Sequence, residues 1–195
     1  MTTADVVVSL FGGRRLPRSL RGLPTVSLDD IDACKRVIVV GCDTDLAAVL
    51  TRLLRADRLD VEVAHTPSSR TARRAISGVA RRVPLIRDET GTVVVGAAEW
   101  TGSPARTKLH GEAVVDDAVL FDGEVAGVRI EPMFTMPGLR AAVLSRRGRP
   151  RRWVTGRAVQ LGTTGARVIR DGVPAPRPVK RSTFYRHTEG WLRVQ

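Results

Sequence analysis

The residues best placed to do chemistry form the short segment Gly41-Cys42-Asp43-Thr44-Asp45, which follows a run of aliphatic residues. Backbone amides at the start of a helix attract anions, and the helix dipole adds to that attraction. The segment therefore predicts a phosphate-binding turn, although Asp43 and Asp45 bring two negative charges that a cation or arginines must offset. The simpler alternative is a capped helix without a ligand.

The flanking sequence predicts the elements that hold this turn. Residues 37–40 are aliphatic and favour a strand buried on both faces. Apolar residues then recur at helical spacing from Leu46 to Leu54, with Asp43 or Thr44 as the expected N-cap. In an open parallel sheet, ligands dock at the carboxyl ends of the strands. We therefore expect the turn to lie at such an edge.

A second loop, residues 65–74, offers further groups that could contact phosphate. Its candidates are Ser68, Arg70 and Arg73, which combine hydroxyl and guanidinium donors. A solvated helix start capped by serine explains the same residues without any ligand. His65 on its own is typical of a loop histidine rather than of a catalytic base.

The order of these motifs resembles that of the diacylglycerol kinase and NAD kinase superfamily. Residues 41–45 stand where that family has Gly-Gly-Asp-Gly-Thr, and they match it at Gly41 and Asp43. Ala72-Arg73 matches the end of the family's Gly-Thr-Gly-Asn-Asp-Phe-Ala-Arg loop. Near the end of the chain, Asp171-Gly172-Val173-Pro174 is similar to the Asp-Gly-Glu-Pro segment of the lipid kinases, with valine in place of glutamate.

The resemblance implies a site for ATP and Mg²⁺ but a degenerate one. It assigns Asp43 to metal binding or catalysis, and it assigns nucleotide or phosphate contacts to Gly41, Cys42, Asp43, Thr44, Ser68, Arg70 and Arg73. Val173 removes the carboxylate that could take a proton from a substrate hydroxyl, a contribution of about 10²–10⁴-fold in rate. The expected protein binds a nucleotide or phosphorylated lipid and has little or no kinase activity, as a pseudoenzyme would.

Two alternatives remain open. In the first, the protein is an active ATP-dependent lipid kinase whose catalytic groups have moved to Asp122 and Glu124. In the second, it is a non-enzymatic basic module that docks on an anionic membrane or, less favoured, on nucleic acid.

The second alternative rests on a lopsided charge distribution. The net charge is +12, yet residues 1–139 hold 18 basic and 18 acidic side chains, so the whole excess lies in residues 140–195. A field of one sign attracts phosphates on lipids, nucleotides or nucleic acid. The densest group lies in an expected exposed loop and comprises Arg146, Arg147, Arg149, Arg151 and Arg152. Residues 181–187 add aromatics beside arginines, as single-strand binders do, but equally fit an ordinary strand.

Composition excludes several classes and suggests a location. The sequence holds no Walker A loop, no Gly-x-Ser-x-Gly elbow and no zinc-binding cysteine pairs. No run of eighteen apolar residues predicts a membrane span, and the N-terminus does not resemble a signal peptide. The two cysteines, Cys34 and Cys42, favour a reducing cytoplasm. Arginine outnumbers lysine 29 to 3, which suits a GC-rich bacterial genome.

The chain as a whole predicts an α/β fold, with a small parallel α/β half at residues 1–88 and an antiparallel β-rich half at residues 89–195. This prediction leaves open whether the last strand returns to the first half. In the first half we expect strands at residues 5–10, 24–28 and 37–40, a short helix up to Lys35, and a helix over residues 70–82 that Pro84 ends. In the second half we expect strands at 152–161 and 166–169, with Asp171-Gly172 and Asp122-Gly123 as turns.

Overall fold

The computed structural model describes residues 5–67, 71–103 and 107–195. The chain divides into two compact units, one formed by residues 1–83 and 189–195 and the other by residues 84–188. The α/β class is confirmed, with a mostly parallel sheet and helices in the first unit and a large antiparallel sheet in the second. No helix in the described ranges is long and apolar enough to cross a membrane.

The first unit is built on a five-stranded sheet. Its strands are β1 (Val6–Leu10), β2 (Arg36–Val40), β3 (Glu62–His65), β4 (Ala80–Val83) and, from the end of the chain, β16 (Trp191–Val194). The order is β1-β2-β3-β16-β4, and all neighbours are parallel except β16 and β4. The last strand therefore lies inside the sheet of the first unit, beside β3.

Two α-helices flank this sheet, α1 (Asp43–Arg55) and α2 (Ala72–Ser77). Helix α1 is amphipathic, and its apolar stripe is buried at Leu46, Val49, Leu50 and Leu53. The strand expected at residues 24–28 is only a single bridge between Thr25 and Val8, and the helix that follows is a 3₁₀ helix, Leu28–Ala33. A second 3₁₀ turn spans Arg18–Leu20.

The helix expected over residues 70–82 is wrong in its second half. Helix α2 ends at Ser77, because Gly78 follows in extended conformation and residues 80–83 form β4 instead. Strand β4 finds its partner in β16, more than a hundred residues away. The Arg36 side chain donates hydrogen bonds to Ala75 O and Ile76 O of α2 and, at 3.0 Å, to Gly78 O just after it, so the helix end is capped from β2.

The second unit is one antiparallel sheet of eleven strands. In chain order they are β5 (Ile86–Asp88), β6 (Val93–Val94), β7 (Ala98–Gly102), β8 (Leu109–Val115), β9 (Ala118–Val125), β10 (Gly127–Pro132), β11 (Leu139–Val143), β12 (Val154–Gly156), β13 (Ala158–Arg170), β14 (Val173–Pro174) and β15 (Val179–Arg186). Strand β13 is the centre, since β7, β8, β14 and β15 all pair with it. Its core contains Trp100 and Phe184, whose ring centroids lie 5.8 Å apart.

The turns and strands predicted for this unit can be compared with the structure. Asp171-Gly172 is a hairpin turn as predicted, with φ of 48° and 84°. Asp122-Gly123 is not a turn: both residues lie inside β9, where Gly123 faces Gly111 of β8 across the ladder. The strand predicted at residues 152–161 is interrupted at Arg157, and the one predicted at 166–169 belongs to the same long β13 that begins at Ala158.

Candidate functional site

The turn at residues 41–45 lies at the carboxyl edge of the parallel sheet in the first unit. It leaves the end of β2, between β1 and β3, which end at the same edge because the three strands are parallel. The backbone joins these ends, since Phe11 N donates to Val40 O (3.1 Å) and Thr66 N donates to Val39 O (2.8 Å). This is the edge at which open α/β sheets bind ligands.

Cys42, not Asp43 or Thr44, is the N-cap of α1. The helix begins at Asp43, so the predicted cap, Asp43 or Thr44, lies one or two residues too late. The Cys42 N–H donates to Asp45 Oδ2 over 2.7 Å, and the Cys42 thiol lies 3.2 Å from the same oxygen. Asp45 is thus the N3 residue that reaches back to the cap, an arrangement that sequence reasoning overlooked because the cap is not a hydroxyl or amide residue.

Gly41 is buried directly beneath this carboxylate. A Cβ atom at position 41 would lie 2.5 Å from Asp45 Oδ2 and 2.7 Å from Asp45 Cβ. No real Cβ atom fits at such distances, so the glycine is required by the packing of Asp45. In this structure, therefore, the group that approaches Gly41 closely is the Asp45 side chain and not a ligand.

His65, the last residue of β3, contacts the turn from the neighbouring strand. Its Nε2–H donates to Gly41 O over 3.2 Å, since a carbonyl can only accept. Its Nδ1 lies 3.9 Å from Asp43 Oδ1, beyond hydrogen-bond range but close enough for a protonated ring to attract the carboxylate. The imidazole is mostly buried, whereas Asp43 is exposed. Parallel pairing of β2 and β3 brings the two together, which residue spacing alone did not reveal.

The loops after β1 and β3 meet through an arginine. Gly12 and Gly13 adopt positive φ of 61° and 64°, and the exposed Arg14 that follows donates to Pro67 O over 3.1 Å. Thr66 is fully buried, and its hydroxyl has no hydrogen-bond partner in the described part of the chain. Arg14 and Thr66 were not among the predicted site residues, although Gly12-Gly13-Arg14 stands at the end of a predicted strand.

The structure describes only one of the three phosphate-contacting residues predicted in the second loop. Ser68 and Arg70 lie outside the described residues. Arg73 is exposed on α2, in the same unit as the turn.

Asp171 and Val173 belong to the second unit. The Asp171 carboxylate accepts hydrogen bonds from three consecutive amides, Val95 N (3.1 Å), Gly96 N (2.7 Å) and Ala97 N (3.0 Å). It therefore anchors the loop before β7. Val173 follows the turn and is 52% exposed.

The remaining candidates also lie in the second unit, on exposed surface. Asp122 and Glu124 are two residues apart on β9, and Glu124 forms an ion pair with Lys108 at 2.9 Å. The five arginines of the predicted basic loop are all exposed between β11 and β12.

No metal cluster is preformed among residues 5–67, 71–103 and 107–195: these ranges contain no group of three His, Cys, Asp or Glu side chains that could hold an ion. Asp43 is a single exposed carboxylate. Mg²⁺ commonly uses one or two carboxylates together with substrate phosphates and water, so Asp43 suits a metal that arrives with a nucleotide.

Comparison with solved structures defines the class of fold. The chain has the fold shared by NAD kinases and diacylglycerol kinases, as the sequence resemblance predicted. One match is a proposed diacylglycerol kinase from Bacillus anthracis strain Sterne, with a TM-score of 0.75 over 100% of this chain and 98% of that one, at 10% identity. Another is an NAD kinase from Archaeoglobus fulgidus in complex with ATP, with a TM-score of 0.66 over 97% and 93%, also at 10% identity. No family model and no curated protein matches the sequence.

Proposed function

We propose that this protein binds a nucleotide or a phosphorylated lipid at the carboxyl edge of its parallel sheet and has little or no kinase activity. The observation that carries the proposal is the bond from Cys42 N–H to the Asp45 carboxylate. The helix start that could bind phosphate is already occupied by an internal anion. A ligand can share the edge with Asp45, but the amide that Asp45 holds is not free to stabilise a transferring phosphoryl group.

Several groups of the first unit support anion binding. Arg14, which contacts the loop after β3, and Arg73 on α2 are exposed cations, and the His65 ring lies beside the turn. Asp43 is the residue that would hold Mg²⁺, which would offset the charges of the phosphates and of both aspartates.

Low activity is supported by the state of the two positions that match the acidic residues of the lipid-kinase Asp-Gly-Glu segment. Asp171, which stands at the aspartate of the lipid-kinase Asp-Gly-Glu segment, is engaged by three backbone amides. Val173 stands at the glutamate and cannot accept a proton from a substrate hydroxyl. The same proposal places the protein in a bacterial cytoplasm, where nucleotides are abundant and its two free cysteines stay reduced.

The direct test is a thermal-shift titration with ATP, ADP and NAD, with and without Mg²⁺. A ligand that binds only the native state raises Tm by mass action. We expect a shift that requires Mg²⁺ and disappears in Asp43→Asn. Asp57→Asn is the matched control, because Asp57 is an exposed aspartate beyond the other end of α1 and asparagine tolerates its positive φ of 56°. An equal shift in both variants would place the ligand elsewhere.

The kinase alternative is tested in the same samples. Transfer of phosphate from ATP to diacylglycerol, a sphingosine-type lipid or NAD should be undetectable. Robust turnover that is lost in Asp122→Asn or Glu124→Gln would support the active enzyme with relocated groups and contradict the proposal.

A further inference from the structure

Backbone hydrogen bonds hold the loop between β11 and β12 in place. Leu144 N donates to Gly127 O (2.8 Å), and Arg151 N donates to Val143 O (3.0 Å), which fixes both sides of the loop to the sheet. At the tip, Ser145 N donates to Arg149 O over 2.8 Å. The arginines of this loop, residues 146–152, are therefore presented from a hydrogen-bonded backbone.

These arginines differ from Arg129, Arg140 and Arg170 of the same unit, which form ion pairs with acidic side chains. Arg129 pairs with Glu99 and Glu131 at 2.7 Å, and Arg170 pairs with the buried Asp88. By contrast, no ion pair to another described residue is formed by the exposed Arg146, Arg147, Arg149, Arg151 or Arg152. The positive charge of the loop is left uncompensated.

Two of the loop arginines line a cavity of about 390 Å³ together with Lys108. Its other walls are Thr107, Glu124, Val125, Ala126, Val143 and Leu144. Among the described residues of the lining, Glu124 is the only acidic group, and it pairs with Lys108 at 2.9 Å while both side chains are more than half exposed. Exposed pairs of this kind contribute little, so an incoming dianion can displace Glu124. Three cations around one concave space suit a phosphate group.

Nucleic acid fits the basic region, residues 140–195, less well because aromatic rings of this region are already covered. Phe184 is fully buried, the Tyr185 ring lies under Arg87 at 4.6 Å, and the Trp153 ring lies under Arg140 at 4.3 Å. Sequence-tolerant binding of single strands relies on exposed aromatic faces on which bases stack. A cavity with cations on one side and aliphatic side chains on another matches a lipid headgroup at a membrane surface instead.

From these contacts the structure assigns a second binding site: the cavity lined by Lys108, Arg146 and Arg151 binds the phosphomonoester headgroup of an anionic membrane lipid. A phosphomonoester carries about −1.5 to −2 charges near neutral pH, against −1 for a phosphodiester headgroup. The cavity therefore selects phosphatidate over phosphatidylglycerol, while the rest of the arginine loop adds attraction without selection. The site is independent of the turn at residues 41–45.

The test compares two double variants in vesicle sedimentation. Arg146→Gln with Arg151→Gln removes both cavity arginines, and Arg147→Gln with Arg152→Gln removes the same charge from loop positions outside the cavity lining. Vesicles contain phosphatidate or phosphatidylglycerol, matched in surface charge, with phosphatidylcholine alone as the neutral control. The parent should prefer phosphatidate by about tenfold. The cavity variant should lose that preference, and the other should bind both vesicles more weakly but keep it.

Two further arms make the outcome decisive. Glu124→Gln should strengthen binding to phosphatidate vesicles because it frees Lys108, whereas Asp122→Asn, an exposed neighbour on the same strand that does not line this cavity, should change the preference little. Inorganic phosphate should reduce binding of the parent to phosphatidate vesicles, but it should not reduce the remaining binding of the cavity variant. The assignment is overturned if both double variants keep the same preference, or if a single-stranded oligonucleotide binds with higher affinity than the vesicles. Binding to phosphatidylcholine as strong as to phosphatidate would overturn it as well.

Discussion

The Asp45 carboxylate lies 2.7 Å from the Cys42 backbone nitrogen and closes the turn at the start of α1 from within. This bond combines two opposite effects. It stabilises the helix start, because a carboxylate at N3 satisfies an amide and complements the dipole. It also places a negative charge where a phosphate would bind, and this charge weakens the binding of any anion at that edge.

Replacing Asp45 with asparagine should separate these effects. The amide oxygen can still accept from Cys42 N–H, so the free energy of unfolding should fall by only about 0.5–1 kcal/mol through loss of the charge at the helix N-terminus. Affinity for ATP with Mg²⁺ should rise, as measured by isothermal titration calorimetry. Asp57→Asn supplies the control for a general change in charge. Weaker binding in Asp45→Asn would show that this carboxylate takes part in holding the ligand.

Gly41→Ala should destabilise the first unit. The added methyl group would meet Asp45 at 2.5 Å and 2.7 Å, and the helix backbone holds Asp45 Cβ in place. Overpacking of this kind costs about 1–3 kcal/mol, which urea denaturation followed by circular dichroism can measure. Gly165→Ala is the control because a Cβ there meets no atom within 4 Å. Equal stability of the two variants would mean that the turn yields easily.

Glu131 should make stability depend on acid. Burial raises its pKa, but hydrogen bonds from Arg129 and Arg140 outweigh burial, so the pKa of Glu131 lies below its ordinary value. A lowered pKa stabilises the folded state above the ordinary value of about 4.3, and this contribution is lost as pH falls through the folded-state pKa. Glu131→Gln should therefore lose about 1–2 kcal/mol of stability at pH 7, and the difference from the parent should narrow as the pH falls below the ordinary glutamate pKa of about 4.3. A gap that is constant with pH would contradict this account.

The sequence could predict the first unit wherever local signals suffice. The buried run before Gly41 and the stripe from Leu46 to Leu53 are visible without a partner. Strand β4 is not, because its identity depends on pairing with β16 at the far end of the chain. Helix propensity over residues 70–82 therefore extended the predicted helix too far.

Glycine and acidic residues misled the prediction in the second unit. Asp122-Gly123 has the composition of a turn, yet Gly123 lies within β9 opposite Gly111, where φ values of 103° and 158° suit glycine alone. At the candidate site, a motif alone singles out Gly41 and Asp43, and their roles there stay a prediction. Cys42 as cap and His65 as a contact of Gly41 depend on the geometry of neighbouring strands, which spacing along the chain does not contain.

The two cysteines should differ strongly in reactivity. Burial raises the pKa of the Cys34 thiol to about 11, and its Sγ donates to Ile31 O over 3.0 Å, so thiolate is scarce at pH 8. Cys42 is exposed. A thiol reagent should therefore modify one group quickly and the second only on unfolding, and Cys42→Ser should remove the fast phase. A fast phase that persists in Cys42→Ser would contradict the burial of Cys34.

Protection of Cys42 tests the central claim most directly, because this thiol lies in the turn itself. The rate of the fast phase is measured with no ligand, with ATP and Mg²⁺, and with a short-chain phosphatidate. A ligand at the carboxyl edge of the sheet should slow modification by at least about tenfold at saturation, with protection lost in Asp43→Asn. If neither ligand changes the rate at concentrations that shift Tm, then the ligand binds elsewhere and the turn is only a capped helix start.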